Sequence, residues 1–146
     1  MPTTARNYDP RGDVILHDAV VALLTPLRDA VEMNSPHPWR AYVNNRFISM
    51  YVRATERMVQ TKRMKEALRV RTVELGSIDV EERYRGRGAL KAVLAEMQSI
   101  AKSSGRVVYI ENVNNPWLHR WFSVHPEYKV LRQYDGLSGT CFAHFP

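Results

Sequence analysis

The residues most able to do chemistry lie together in Ser77-Ile78-Asp79-Val80-Glu81-Glu82-Arg83-Tyr84-Arg85-Gly86-Arg87-Gly88-Ala89-Leu90. An apolar, strand-like run leads into a turn in which arginines alternate with glycines, and a helical pattern opens directly after it. Glycines let backbone N–H groups close on an anion, a helix N-terminus carries partial positive charge, and guanidinium groups add full charges around it. The chemistry this favours is the cradling of phosphate oxygens. A surface turn capping an ordinary helix has the same local composition, so the flanking elements decide what the turn is for.

Before the turn, Val73 and Leu75 share one parity and Ile78 and Val80 the other, so the in/out alternation flips across Gly76-Ser77. A one-residue slip beside a glycine predicts a β-bulge; an edge bulge that only twists a sheet is the plain alternative. After the turn, Leu90, Val93, Leu94, Met97 and Ile100 make the stripe of an amphipathic helix, with Gly105 as its stop. Residues 106–113 follow as a strand that is apolar on both parities through Ile110, as a strand buried on both faces requires. Strand, helix and strand within about forty residues predict a parallel, right-handed crossover. Asn115-Pro116 then reads as N-cap and N1 of a helix that turns Trp117, Leu118, Trp121 and Phe122 inward.

These residues resemble the GNAT superfamily of acyl-CoA-dependent N-acyltransferases, whose pyrophosphate turn follows [Q/R]-x-x-G-x-[G/A]. Two registers fit. Arg83-x-x-Gly86-x-Gly88 satisfies the pattern, while counting from Ile78 and Val80 favours Arg85-x-x-Gly88-x-Leu90, where Leu90 departs from the small final residue. The resemblance covers residues 68–134, and the combination Ile-Asp-Val, Tyr-Arg-Gly-Arg-Gly and Ile-Glu-Asn-Val-x-Asn extends it to small GNAT-like proteins of bacteria and bacteriophages. It implies an α/β (α+β) fold: a mixed, mostly antiparallel central sheet with a bulged, splayed fourth strand, flanking helices and one domain over residues 1–146. It implies acetyl-CoA or another acyl-CoA as co-substrate, bound by Ile78, Asp79, Val80, Arg83, Arg85, Gly86, Arg87, Gly88, Ala89, Leu90 and Asn115.

The reaction implied is acyl transfer to the amine of an unidentified small molecule or protein. The amine must lose a proton and the departing thiolate must be stabilised. Glu74 and Glu111 are the candidate bases, acting directly or through water; a structural ion pair with nearby arginines is the alternative for each. The family's proton-donating tyrosine falls at Phe122, and a phenyl ring donates nothing. Tyr128, Tyr84 or His119 can substitute, or the thiolate leaves with help from solvent. A GNAT-fold protein that binds without catalysing is the second reading.

Net charge supplies a third. The chain carries 21 basic and 15 acidic residues, a formal +6. Eleven of the basic residues fall within residues 53–91: Arg53, Arg57, Lys62, Arg63, Lys65, Arg69, Arg71, Arg83, Arg85, Arg87 and Lys91. Such density suits nucleic acid, although aromatic interleaving is sparse and the acidic residues 74–82 divide the run. The turn lacks the G-K-[S/T] ending of a P-loop, and the histidines and Cys141 show no metal-ligand spacing, so no metal is expected.

Forty-five per cent hydrophobic and 25% charged residues describe an ordinary globular domain. One cysteine fits a reducing, cytoplasmic setting, and the apolar residues 14–24 are interrupted by His17 and Asp18, so neither a signal peptide nor a membrane span is expected. Residues 1–12 read as a mobile arm. Asp13 is placed to cap a helix carrying Leu16, Val20, Leu23, Leu27 and Val31, kinked or broken at Thr25 by Pro26. Residues 39–43 and 46–53 read as strands joined at Asn44-Asn45 through left-handed backbone, residues 56–67 as either a strand connection or a short helix, and residues 128–134 and 140–145 as a terminal antiparallel pair joined through Asp135-Gly136.

Overall fold

Helix α1, Pro10–Met33, forms because its apolar residues recur on one face. Leu16, Val20, Leu23, Leu24, Leu27 and Val31 are all buried. The computed structural model describes residues 10–113, 115–132 and 139–146. The helix begins at Pro10, three residues ahead of the expected cap at Asp13, so residues 10–12 belong to it rather than to an arm; residues 1–9 lie outside the described residues. Pro26 sits inside one unbroken helix, contrary to the expected division at Thr25. Burial of Leu23, Leu24 and Leu27 on either side outweighs the loss of one backbone N–H, and the Thr25 hydroxyl donates to the Val21 carbonyl at 3.0 Å.

Among the described residues six strands follow in one sheet of order β1-β2-β3-β4-β6-β5: β1 Trp39–Asn44, β2 Ile48–Val59, β3 Leu68–Val80, β4 Val107–Val113, β5 Lys129–Val130 and β6 Thr140–His144. Among the described residues only β3 and β4 pair in parallel, joined through helix α2, Ala89–Ser104. This is the mixed, mostly antiparallel sheet expected. The link between β1 and β2 closes without left-handed backbone at Asn44 or Asn45; the Asn45 carboxamide oxygen instead accepts from the N–H groups of Phe47 and Ile48 at 2.8 and 2.9 Å. Residues 56–59 extend β2, which decides the ambiguous stretch in favour of a long hairpin. The terminal pair forms between β5 and β6, with residues 133–138, including Asp135-Gly136, outside the described residues.

Helices α1, α2 and α3 (Pro116–Ser123) share one core with the sheet, centred on Val20, Leu24, Val52, Val73, Val93, Met97, Val108, Phe122 and Phe142. An Arg28–Glu96 ion pair at 3.1 Å ties α1 to α2. The other sheet face carries a smaller apolar cluster of Val59, Val107, Tyr109, Leu131, Cys141 and Ala143 beside charged side chains. Trp117 departs from expectation. It is 69% exposed, while Phe122 five residues on is 1% exposed, so the buried face of α3 is narrower than its apolar residues suggested.

Candidate functional site

A slip in register builds the site. Val52 opposes Leu75 and Tyr51 opposes Ser77, leaving Gly76 as the extra residue of a β-bulge. The bulge is why Val73 and Leu75 before it, and Ile78 and Val80 after it, all turn toward the helix-covered core despite opposite parity. It lies on the third strand along the described residues. Parallel pairing with β4 covers Thr72 to Leu75 against Val107 to Ile110 and goes no further, although both strands continue. Where they part lies a cavity of about 210 Å³, lined by Leu75, Gly76, Ser77, Ile78, Leu90, Ile110, Glu111, Val113, Asn115, Leu118 and Phe122.

Gly76 leaves no space for a side chain. An added Cβ would stand 2.8 Å from Tyr51 Cδ1 and 3.6 Å from Glu111 Oε2. The glycine therefore keeps the mouth of the slot open between backbone, aromatic ring and carboxylate.

Beyond β3, a short 3₁₀ turn at Glu82–Tyr84 leads into Gly86 and Gly88, with φ of 74° and 80°. Positive φ restricts both positions to glycine even though a Cβ would meet nothing within 4 Å at either. Gly88 is the residue at the start of α2, which has no side-chain cap, leaving its first-turn N–H groups for an outside acceptor. The turn is anchored from both sides. The Tyr84 ring packs edge-on against Phe47 at 4.5 Å, and Glu81 N–H donates to the Phe47 carbonyl at 2.8 Å. Arg85 Nε donates to the Val80 carbonyl at 2.9 Å and its guanidinium lies 3.5 Å from Asp79; Arg83 reaches Glu81 at 3.4 Å and is 82% exposed.

Of the anticipated cofactor residues, Ile78, Leu90 and Asn115 line the slot; Asp79, Val80, Arg83, Arg85, Gly86, Arg87, Gly88 and Ala89 do not. Ala89, the first residue of α2, is buried, and Leu90 sits at the slot rather than in the centre of the core stripe. Asn115 has the expected N-cap geometry, its side-chain oxygen accepting from Trp117 and Leu118 N–H at 2.9 and 3.3 Å.

The two glutamates belong to one ionic network with different access. Glu74 is wholly buried and accepts from Arg53 Nε at 2.7 Å, from two nitrogens of Arg57, and from the Thr72 hydroxyl at 2.7 Å. Four donors occupy its two oxygens. Glu111 is about a quarter exposed, lies 2.9 Å from Arg53 and 3.4 Å from Arg57, and lines the slot. Burial opposes the charges of Arg53 and Arg57, yet the paired carboxylates outweigh it and hold both guanidinium pKa values above the ordinary one. Sequence reasoning named both glutamates and the alternative of an ion pair with nearby arginines, without identifying Arg53 and Arg57 as the partners. Their spacing of four places Arg53 and Arg57 on one parity of a strand, but only the register with β3 and β4 brings them to the glutamates.

Tyr128 is placed away from the slot. It is 3% exposed, its hydroxyl accepts from Gln98 on α2, and burial pushes its phenol up to about 12. Tyr109, behind Glu111, donates to the Cys141 sulfur at 3.3 Å and is likewise raised by burial. His119 is exposed on α3 against Phe142. Phe122, by contrast, forms part of the slot wall.

The basic run is divided by its own counter-charges. Arg53 and Arg57 pair with Glu74 and Glu111, Arg69 with Glu56, Arg83 with Glu81 and Arg85 with Asp79. Among the described residues no helix is long and apolar enough to cross a membrane, and no group of three metal-ligating side chains occurs.

The fold and site define a mixed α/β domain in which a bulge parts two parallel strands beside a glycine–arginine turn. No protein-family model and no curated protein matches the chain. Among solved structures it is similar to a Bacillus subtilis N-acetyltransferase, YlbP, in complex with coenzyme A (14% identity, TM-score 0.44, covering 72% of this chain and 66% of that one). It is also similar to a GNAT-family acetyltransferase of Staphylococcus aureus (8%, 0.45, 94% and 95%) and to Arabidopsis thaliana NAA60 in complex with a bisubstrate analogue (18%, 0.43, 86% and 94%). This chain spans about two thirds of the Bacillus protein's length. At such identities and TM-scores, none of the three bears on what this chain does.

Proposed function

We propose that this protein is a GNAT-type N-acyltransferase that takes an acyl group from acyl-CoA to an amine. The observation that carries the reading is the parting of β3 and β4 after Leu75 and Ile110, with a narrow cavity in the gap. Unpaired backbone on a parted strand can hydrogen-bond an extended amide-containing arm as a further strand would. The φ-restricted turn at Gly86 and Gly88 offers N–H groups at an uncapped helix start for the pyrophosphate, with Arg83, Arg85 and Arg87 around it.

Glu111 is the base in this reading, because it lines the slot and keeps access to solvent. It takes the proton from the acceptor amine, directly or through one water. The new N–C bond then forms at the acyl carbon as the C–S bond breaks. Thiolate carries the departing electron pair and gains its proton from solvent, since the wall at Phe122 has no hydroxyl to give. Glu74 holds Arg53 and Arg57 in place and does not touch substrate.

Calorimetry with acetyl-CoA, CoA and ATP tests the cofactor. Both CoA species are expected to bind, with Gly88→Val abolishing binding in a protein that stays folded. No detectable binding of either at millimolar ligand would overturn the reading. Phe122 favours one alternative, a domain that binds acyl-CoA without turning it over, and thiol release against a panel of amines, peptides and aminoglycosides separates the two.

A further inference from the structure

At the opposite end of the β3–β4 pair lies a second cavity of about 460 Å³ that the acyl-transfer reading does not use. It sits where α1 gives way to the loop bearing His37, and its charged walls are Arg69, Arg71, Arg106 and Glu56. Arg71 precedes the bulge at Gly76 by five residues, roughly 16 Å along a strand, so the two cavities are separate.

Arg106 is the informative residue. It is 4% exposed, its NH1 donates to the Thr72 carbonyl at 3.0 Å, and its Nε is buried with no hydrogen-bond partner. A buried guanidinium nitrogen is costly to leave unpaired. The neighbouring charges worsen the imbalance. Arg69 takes Glu56, at 2.8 Å, and Arg71 pairs with no carboxylate among the described residues. Three guanidinium groups thus share one carboxylate, an excess of two positive charges. Consistent with that, burial first and Arg71 second lower the Arg106 pKa, against the pull of Glu56.

We propose that this cavity binds the phosphate group of a small organic molecule. Guanidinium forks match a tetrahedral oxyanion in geometry and charge. The volume falls in the range of small-molecule sites, roughly 300–1,000 Å³, which leaves room for an organic remainder against Pro36, Pro38 and Ala54. The proposal stands whether or not the slot binds acyl-CoA.

Amide NMR on the whole chain tests it, with glycerol 3-phosphate and inorganic phosphate as probes. Saturable shifts are expected at Asn34, Ser35 and His37 and at residues 54–56, 69–71 and 106, distinct from any at residues 86–91, with glycerol 3-phosphate the tighter ligand. Arg71→Gln should weaken binding about tenfold or more, as losing a charge-assisted contact does. Arg69→Gln, on a side chain 74% exposed, gives a second variant whose folding is not at risk. Shifts confined to residues 86–91, shifts that survive both variants unchanged, or no saturable shift would each overturn the proposal. If glycerol 3-phosphate binds no tighter than inorganic phosphate, the organic ligand is ruled out and the arginines serve a bare ion.

Discussion

Two stretches of the same strand pair put the same residue type to different uses. Where β3 and β4 remain hydrogen-bonded, Glu74 is sealed beneath the sheet surface and surrounded by donors. Past the bulge, where pairing stops, Glu111 shares the same two arginines but also lines a cavity and reaches solvent. The carboxylates are chemically equal and two ladder positions apart: Glu74 opposes Tyr109, Leu75 opposes Ile110, and Glu111 is the next residue after the pairing ends. What distinguishes them is the backbone around them. Pairing turns a carboxylate into a structural anchor, and parting the strands leaves the next one facing a cavity.

The largest way to break this contrast is on the paired side. Glu74→Gln keeps the volume but places an amide NH₂ among guanidinium donors and removes the buried counter-charge. We expect a loss of about 3 kcal/mol by chemical denaturation, near the lower end for breaking one side of a buried pair, because Arg53 and Arg57 retain some exposure. A loss below about 1 kcal/mol would show that Glu111 alone can balance both arginines.

On the parted side the same substitution should spare the fold and strike the chemistry. Glu111→Gln is expected to cost less than about 1 kcal/mol of stability, as for a partly exposed pair. CoA release should fall about 10²- to 10⁴-fold with acetyl-CoA affinity unchanged, the range for removing a general base. Equal rates for the two proteins would remove Glu111 from the mechanism.

Gly76→Ala tests the parting itself. The new methyl group drives Tyr51 from its place beside Tyr42, whose ring centroid lies 4.6 Å away, and enters the mouth of the slot. Overpacking of this kind costs about 1–3 kcal/mol. Acyl-CoA affinity is expected to fall more than CoA affinity, since the crowding lies at the bulge rather than at the turn. A uniform loss for both ligands would place the acyl group elsewhere.

The elements around this contrast were legible because each rests on local rules. The parity flip at Gly76-Ser77 gave the bulge, the stripe from Val93 to Ile100 gave α2, and Asn115-Pro116 gave the start of α3. Long-range partners were not legible. Nothing local marks that Arg53 and Arg57 on β2 meet glutamates on β3 and β4, or that Arg106 lies near Arg69 and Arg71, because register is set by tertiary pairing. Pro26 misled for the same reason, local helix-breaking being outweighed by burial on both sides. Glu74 and Glu111 looked alike in sequence, both mid-strand acids in apolar surroundings, and only the point where pairing ends tells them apart.

The smallest expected effect concerns the wall facing Glu111. Phe122 is 1% exposed, packed against Trp121, Tyr128 and Phe142 with ring centroids 5.0–5.1 Å away, and lines the slot. Phe122→Tyr adds a hydroxyl at the edge of the slot. Buried without a partner it would cost about 1–3 kcal/mol, so a melting temperature close to the native one indicates that the hydroxyl has reached the polar opening. Turnover is then expected to rise about tenfold, less than the 10²- to 10⁴-fold that a fully positioned acid supplies, because nothing in the native wall is arranged to orient a phenol. A rise that is lost on adding Glu111→Gln would tie acid and base to one reaction across the slot. If both proteins bind acetyl-CoA and neither releases CoA with any amine, the domain binds without catalysing. Brisk turnover by the native protein, unchanged in the variant, would mean that solvent or another side chain already protonates the thiolate.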